Sequence, residues 1–379
     1  MILENTLSLP IDRSVFTPDG QPVWQFGCRR YIQTSYEKPG DGILYEAGNE
    51  IARLGKRAFI IGGPTALALT RDLLSESLNK CDISAKFITY GGHCSPDTAR
   101  KMETGGYDVI VRVGGGRIMD MSKLIGYFSH LPVVNIPTSC ATCAAVSSLS
   151  VLYNDDGQTI GTLCYDKSVD SVIVDTALIA AAPHRLTAAG VLDAMAKHIE
   201  IEHYFLSDQS ETQKDPGLLA ARVLAGDNYL RLIEACQNNG NLAADANILY
   251  RCIPLTGVIS GLSRGRNQSN LGHGLYEEVR RHFTSEGANA LHGELVAIGL
   301  FLQLAYDQAS HKISALRDFM RSLGMPVTLD EMGISGTPEQ QDKLFHAMCN
   351  SPYFIDTLEN RKKLALALTY VWKEGVCHE

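Results

Sequence analysis

Between about residues 57 and 180 the chain alternates short apolar runs with segments of helical pattern. The runs are rich in β-branched and aliphatic residues and lie at 58–61, 85–89, 109–113, 133–136 and 171–174. Strands separated by helices are typical of βαβ units, which build a parallel sheet. The sequence therefore predicts an α/β domain in the first half of the chain.

After Pro183 the pattern changes. Residues 185–379 contain almost no β-branched runs and consist largely of Ala/Leu-rich segments at helical period, such as 218–235 and 362–372. We predict two domains, a dinucleotide-binding α/β domain over 1–182 and an all-helical domain over 183–379. The cleft between two such domains is the usual place for an active site.

Two further segments have recognisable patterns. The first 30 residues, with Pro10, Pro18 and Pro22, indicate an extended arm or an edge hairpin. The run 151–153 followed by the turn residues 154–157 predicts a strand that enters a hairpin.

Composition excludes several classes of partner. The net charge is -8 and no run of five basic residues occurs, so nucleic acid and anionic membranes are not expected partners. No apolar stretch approaches the roughly 20 residues that span a bilayer, and the N-terminus has no secretory pattern. We expect a cytoplasmic protein with reduced thiols. Among its ten cysteines Cys140 and Cys143 form the one close pair, for which a redox or metal role is the minor alternative.

Three consecutive glycines follow one of the predicted strands. Gly114, Gly115 and Gly116 come directly after the run 109–113 and precede an apparent helix that carries Asp120 and Lys123. Such a loop lets backbone N–H groups approach a phosphate, and the helix N-terminus adds partial positive charge. The pattern indicates a site for the pyrophosphate of a dinucleotide, although a glycine cluster after a strand can also be a plain tight turn.

Three side chains of the helical half suit a metal. Asp193, His273 and His292 lie on three predicted helices, and one carboxylate with two imidazoles can hold a divalent cation while leaving a position for a substrate oxygen. Each residue also has a structural explanation by itself, since an acidic residue favours a helix start and single histidines are often structural.

In order along the chain, these motifs resemble the iron-containing alcohol dehydrogenase superfamily, most closely its glycerol dehydrogenase branch. The resemblance rests on 114–123, 136–138, 150–153, Asp193 and 292–294, and extends over nearly the whole chain from about residue 30. It implies a dinucleotide-binding domain, a helical domain, and zinc or iron. It also implies that Gly114 to Gly116 hold the pyrophosphate, that Thr138 and Tyr153 lie near the cofactor, and that Asp193 and His292 bind the metal.

The chain departs from that family at the metal. A further metal-binding histidine of the family falls on Ser269, so either His273 replaces it or metal binding is weakened or lost; we favour replacement, because a serine hydroxyl is a poor neutral ligand. Lys197 stands where four-ligand iron sites have another histidine. One turn after Asp193, it can donate a proton, bind an anionic substrate, or simply form an i,i+4 ion pair.

Other departures concern specificity. The family's polyol-binding aspartate corresponds to Cys143, which makes glycerol itself a less favoured substrate. The acidic residue that binds the adenosine ribose corresponds to Gly63, so NADP(H) should be tolerated as well as NAD(H). Arg264 and Arg266 can reach a carboxylate or phosphate of the substrate, or lie on a solvated helix face.

The leading hypothesis is reversible hydride transfer between NAD or NADP and a small secondary alcohol, polyol or hydroxy acid. A divalent metal, zinc rather than iron, would assist, with His273 or Lys197 as proton donor. The alternatives are a sugar-phosphate cyclase of the dehydroquinate synthase type and a catalytically degenerate nucleotide-binding homologue. We expect a small-molecule substrate and a homo-oligomer.

Overall fold

The computed structural model describes residues 27–34, 42–154, 157–165, 167–207, 214–238, 240–263 and 269–372. Arg264, Arg266 and most of the predicted N-terminal arm lie outside the described residues. Contacts divide the chain into two compact units, 1–187 with 239–264, and 188–238 with 265–379. The two-domain division at 182/183 stays a prediction.

The first unit is built on a six-stranded parallel sheet, which confirms the predicted α/β class. Its strand order is β1-β8-β5-β4-β2-β3. The strands are β1 Arg30–Thr34, β2 Arg57–Gly62, β3 Ser84–Thr89, β4 Val109–Gly114, β5 Val133–Pro137 and β8 Ser171–Asp175. All five predicted runs are strands of this sheet. β1, which begins at the end of the predicted arm, adds an edge strand beside β8.

Alternation along β4 separates two environments. Val109, Val111 and Val113 belong to the main apolar core of this unit, together with residues of β2 and of the first two helices. Because successive side chains of a strand point to opposite faces, Arg112 lies on the other face. The fully buried strands explain why the sequence shows continuous apolar runs rather than alternation.

The predicted hairpin is confirmed. Strands β6 (Leu149–Tyr153) and β7 (Thr159–Cys164) pair antiparallel with a register shift between Leu152 and Tyr153. The helices of the first unit are α1 Ile43–Ala52, α2 Pro64–Lys80, α3 Pro96–Lys101, α4 Gly116–Ser129, α5 Thr176–Ala180, α8 Ala246–Tyr250 and α9 Thr256–Leu262, with a π-helical turn Arg251–Leu255 between the last two.

The described residues of the second unit are helices and their connections, as the sequence predicts. Helix α6, His184–Ser207, supplies most of its length to this unit. The others are α7 Pro216–Asn238, α10 Leu271–His282, α11 His292–Tyr306, α12 Ile313–Ser322, α13 Pro338–Cys349 and α14 Leu358–Trp372. Within the described ranges, none of the helices has both the length and the apolar character that a membrane span requires.

Candidate functional site

The glycine loop of the first unit joins β4 to α4. Gly114 ends the strand with a φ of +153°, a conformation that favours glycine. Gly116 begins the helix, and a Cβ on it would lie 2.7 Å from Oγ1 of Thr142, so a side chain there would force a rearrangement. The loop therefore keeps its backbone accessible at the start of a 14-residue helix, the arrangement that binds phosphate.

Polar groups of the segment after β5 lie beside this loop. The backbone N–H of Thr138 donates to the carbonyl of Gly114 over 3.0 Å. A Cβ on Gly115 would lie 3.4 Å from Oγ of Ser139. Sequence reasoning missed Ser139 and Thr142, although adjacent β5 ends at the same edge of the sheet, where ligands of such folds bind.

Two other predicted cofactor residues lie at strand ends. Gly63 is buried and caps α2 directly after β2, so no carboxylate stands at this position. Tyr153 is buried at the end of β6, where its ring lies 5.4 Å from that of His93 and its backbone N–H donates to Cys94. Their roles toward a cofactor stay predictions.

Asp120 and Lys123 form a buried ion pair on α4, with Nζ of Lys123 2.8 Å from Oδ1 of Asp120. The same ammonium contacts the carbonyls of Ala144, Ser147 and Leu149. Oδ2 of Asp120 accepts the N–H of Val151. These contacts use the donors of the ammonium, so in the structure the pair holds residues 144–151, which include the start of β6, on α4. Its role toward a cofactor stays a prediction.

The second unit brings together the three predicted metal ligands. One ligand atom from each of Asp193, His273 and His292 lies within 4.8 Å of the others. Oδ1 of Asp193 is 3.3 Å from Nε2 of His292 and 3.6 Å from Nε2 of His273. The three residues come from α6, α10 and α11.

The chemistry of this cluster fits a divalent cation. Oδ1 of Asp193 is buried and has no hydrogen-bond partner among the described residues, although nitrogen atoms surround it. Burial alone would raise the pKa of Asp193, but Lys197 and His292 lower it well below its usual value, so a carboxylate is present at neutral pH. Burial also lowers the pKa of His292, against the opposing effect of Asp193, which favours a neutral imidazole with a free lone pair.

Glu200 orients His273. Its Oε2 lies 2.5 Å from Nδ1 of His273, and its Oε1 accepts the backbone N–H groups of Asn270 and His273 over 2.6 and 2.9 Å. Burial raises the pKa of Glu200, but His273 more than compensates, so the pKa is lowered. The carboxylate therefore holds the proton on Nδ1 and turns Nε2 toward Asp193, as carboxylates do that accept a hydrogen bond from a metal-binding histidine.

Sequence reasoning missed Glu200, although a signal was present. Asp193, Lys197 and Glu200 are spaced i, i+4 and i+7, which places three ionisable residues on one face of α6. Burying such a face requires partners for each charge.

Lys197 is part of the cluster rather than a surface residue. Its Nζ lies 3.0 Å from Nε2 of His273 and 3.5 Å from Oδ1 of Asp193. The ammonium thus contacts the same two atoms that a metal would use. Two roles left open by the sequence, an i,i+4 pair with Asp193 and proton donation, are both compatible with this position.

Ser269 and Cys143, which stand at the family's metal-binding and polyol-binding positions, occupy different places. The backbone carbonyl of Ser269 accepts the hydroxyl of Tyr204 over 2.6 Å. Cys143 is buried in a 3₁₀ turn, Cys143–Ala145, of the first unit. A carboxylate that the sequence did not single out, Glu277, lies one turn after His273, accepts the hydroxyl of Tyr353 over 3.0 Å, and has its pKa raised by burial.

The thiols form no disulfide within the described ranges. None of the nine described cysteines is in a disulfide, and Cys140 is hydrogen-bonded to Cys252, which lowers the pKa of Cys140. The pair Cys140 and Cys143 therefore shows no redox bridge in this structure.

A family model, two relatives and a solved structure all indicate the same family. The model of the iron-containing alcohol dehydrogenase family matches residues 38–176. Glycerol dehydrogenase of Citrobacter freundii is 32% identical over 298 residues, 76% of this chain and 80% of the relative. Glycerol dehydrogenase of Pseudomonas putida is 28% identical over 315 residues, 81% of this chain and 84% of the relative. A solved structure of a probable glycerol dehydrogenase from Sinorhizobium meliloti superimposes with a TM-score of 0.75 at 25% identity, covering 91% of this chain and 98% of that one.

Proposed function

This chain belongs to the iron-containing alcohol dehydrogenase family, in the branch of the glycerol dehydrogenases, and on that premise we propose which residues perform its chemistry and on what substrates. It is an NAD(P)-dependent oxidoreductase that acts on alcohols with a divalent metal. The observation that carries the proposal is the set of Asp193 and His273, both buried, and half-buried His292, whose donor atoms converge within 4.8 Å.

The roles divide between the two units. The backbone of Gly114, Gly115 and Gly116 binds the pyrophosphate of the dinucleotide, with Thr138 beside it. Asp193, His273 and His292 hold the metal. When bound, the metal supplies Lewis acidity that lowers the pKa of a substrate hydroxyl, and the nicotinamide supplies a hydride acceptor or donor.

The protein residues around the cluster control protons. Glu200 keeps a proton on Nδ1 of His273, so that Nε2 stays available as a ligand. Lys197 carries a proton on Nζ close to the cluster, and we propose that it donates this proton to the substrate oxygen when a carbonyl is reduced. In this proposal His273 is a metal ligand and Lys197, not His273, is the proton donor. The sequence alone left both roles open for His273.

The substrate class is a small secondary alcohol, polyol or hydroxy acid. Cys143 offers no carboxylate to the hydroxyls of a polyol, which argues against glycerol as the preferred substrate. Arg266 stays a predicted binder of a substrate carboxylate. The cyclase alternative is not favoured, because the matched relatives are dehydrogenases.

For the metal we propose zinc. One carboxylate and two imidazoles with an open position suit a catalytic zinc, and hydride transfer needs no redox change of the metal. Iron, which gives the family its name, is the competing occupant. Assembly as a homo-oligomer and location in the cytoplasm remain predictions from the sequence.

Metal content and turnover, measured together, test this proposal. We expect one zinc per chain in the wild type after purification without chelator. His273→Ala and His292→Ala should lose both the metal and the reduction of small hydroxycarbonyls by NAD(P)H. His346→Ala, which changes an exposed histidine on α13, is the matched control and should retain both.

Several results would count against the proposal. Unchanged turnover in His292→Ala would exclude the metal cluster as the reaction centre. Product formation without net consumption of NAD(P)H would indicate a cyclase, because a cyclase regenerates its cofactor. Nucleotide binding without metal or turnover would indicate the degenerate homologue.

A further inference from the structure

Arg112 lies in the middle of the parallel sheet. Among the residues that the structure describes, it is the largest side chain that is fully buried, with 0% of its surface exposed. None of its three guanidinium nitrogens has a hydrogen-bond partner among the residues that the structure describes. Buried charges in proteins are normally paired, because an isolated one is costly to desolvate. The position therefore calls for an anion.

Nearby residues of the protein leave that charge uncompensated. Burial lowers the pKa of Arg112 well below its usual value, and Asp120 is the acidic residue that opposes this shift, together with Cys94 and Tyr90. However, Asp120 already pairs with Lys123 at 2.8 Å. One carboxylate thus faces two buried cations, and the excess is positive.

The guanidinium is directed to the glycine loop. Nη2 of Arg112 lies 3.2 Å from the point that a Cβ on Gly114 would occupy, and the backbone nitrogen of Gly63 lies 3.8 Å from the same point. Arg112 and Gly63 therefore border the same small region at the carboxyl ends of β4 and β2. That edge of a parallel sheet is where phosphate groups of nucleotides bind.

We propose that Arg112 binds the 2′-phosphate of NADP(H) and makes the enzyme prefer it over NAD(H). The inference rests on the proposed cofactor site in the first unit. In dinucleotide-binding folds an acidic residue after an early strand binds the ribose 2′-hydroxyl and repels a 2′-phosphate. Gly63 removes the repulsion, and Arg112 supplies the attraction.

Two features favour the 2′-phosphate over the pyrophosphate as the partner of Arg112. The pyrophosphate already has the backbone N–H groups and the N-terminus of α4. A guanidinium matches the terminal oxygens of a phosphate monoester bidentately, and this pairing is among the strongest that a side chain makes. Arg112 lies on β4, two positions before the loop, and glycine-loop patterns do not include this position.

The test is direct binding of NADPH and NADH to Arg112→Met and Arg112→Lys, by fluorescence titration and without substrate. We expect Arg112→Met to weaken NADPH binding by about tenfold or more, as for loss of a charge-assisted hydrogen bond, and to leave NADH within about twofold. Arg112→Lys keeps the charge, so its affinity for NADPH should lie between those of the wild type and Arg112→Met. Arg100→Met, an exposed arginine of α3, should change neither.

Thermal unfolding separates ligand binding from a structural role. Because Arg112→Met removes an unpaired buried charge, its melting temperature without ligand should equal or exceed that of the wild type, while the shift produced by NADPH shrinks. A lower melting temperature with unchanged preference for NADPH would overturn the inference.

The remaining outcomes are also decisive. Equal loss of NADH and NADPH affinity would place the pyrophosphate on Arg112 and overturn the 2′-phosphate assignment. Normal binding of both cofactors by Arg112→Met and Arg112→Lys would overturn the inference and leave the proposed function standing. A wild type that binds neither dinucleotide would overturn the proposed function as well.

Discussion

Glu200 and His273 form a closed, buried pair in which one carboxylate binds both the imidazole and the backbone of the same histidine. The carboxylate oxygens are 2.5 Å from Nδ1 and 2.9 Å from the backbone nitrogen. The ring can therefore neither rotate nor change its tautomer without breaking a buried contact. Nε2, the proposed ligand atom, is therefore held in position by the protein alone.

Glu200→Gln tests this presetting. The amide keeps the shape but can present an N–H to Nδ1, so it no longer enforces the tautomer that leaves Nε2 free. We expect the metal dissociation constant to rise by about 10–100-fold, the usual effect of losing such a partner, with turnover restored at high metal concentration. Isothermal titration of the metal-free protein with zinc measures it.

The control for Glu200→Gln is Glu202→Gln on the same helix. Glu202 pairs with Arg222 near the surface and does not contact the cluster, so metal affinity should stay the same. Equal metal affinity in Glu200→Gln and wild type would mean that His273 needs no orienting carboxylate.

Lys197→Met should raise metal affinity while lowering turnover. The ammonium, 3.0 Å from a ligand atom and 3.5 Å from another, repels a cation at the same place. Removing one such charge should tighten metal binding by about tenfold or more. If Lys197 is the proton donor, carbonyl reduction should fall by about 100-fold, the contribution typical of a positioned acid. Weaker metal binding would instead show that Lys197 supports the ligands.

Gly116→Ala, alone and combined with Thr142→Ala, tests whether the glycine loop must stay free of side chains to bind the cofactor. The added methyl would lie 2.7 Å from Oγ1 and 3.5 Å from Cγ2 of Thr142, and both atoms are absent in Thr142→Ala. We expect Gly116→Ala to lower the melting temperature, and the double variant to recover it without recovering cofactor affinity. Recovery of both would show that the loop needs space only at Thr142 and not for a phosphate.

Asp108→Asn should remove a pH-dependent part of the stability. Its carboxylate accepts from the Arg57 side chain and from two backbone N–H groups, which lowers the pKa from 3.8 to about 2. Because the pKa of Asp108 is lower in the folded than in the unfolded state, its carboxylate stabilises the folded state at pH values above the unfolded-state pKa. This stabilisation is lost as the pH falls toward 2. The melting temperature of the variant should thus lie below the wild type at pH 6, and the gap should close between about pH 4 and 2.

Asp72→Asn, which changes an exposed aspartate of α2, is the comparison for Asp108→Asn. It should show no such closing gap. If the difference in melting temperature between Asp108→Asn and the wild type stayed constant from pH 6 to 2, the lowered pKa of Asp108 would not be its cause.

The fold was largely predictable because its signals are local. Buried parallel strands are continuous apolar runs, and five of six strands have one. The sixth, β1, reads Arg-Tyr-Ile-Gln-Thr and has no such run; its pairing with β8, more than 130 residues later, is a tertiary effect. The periodicity of the sequence cannot predict a strand, such as β1, that forms because it pairs with another strand.

That the three proposed ligands belong to one site was predictable from the sequence, and their surroundings were less so. Asp193, His273 and His292 are chemically conspicuous, but Glu200 becomes important only because α10 starts where its carboxylate can accept two backbone N–H groups. That Arg112 has no hydrogen-bond partner among the described residues likewise depends on which residues pack around it. Such relations depend on packing, which one sequence does not contain.

Residues 239–264 have a consequence for how the protein is made. They belong to the first unit, where Gln33 of β1 donates to the carbonyl of Ala246 and the ring of Tyr31 lies 6.2 Å from that of Tyr250. The first unit is therefore incomplete until the ribosome has passed this segment. Folding during synthesis cannot finish the first unit before residues 188–238 of the second have emerged, and a fragment ending at residue 182 should expose the surface that this segment covers.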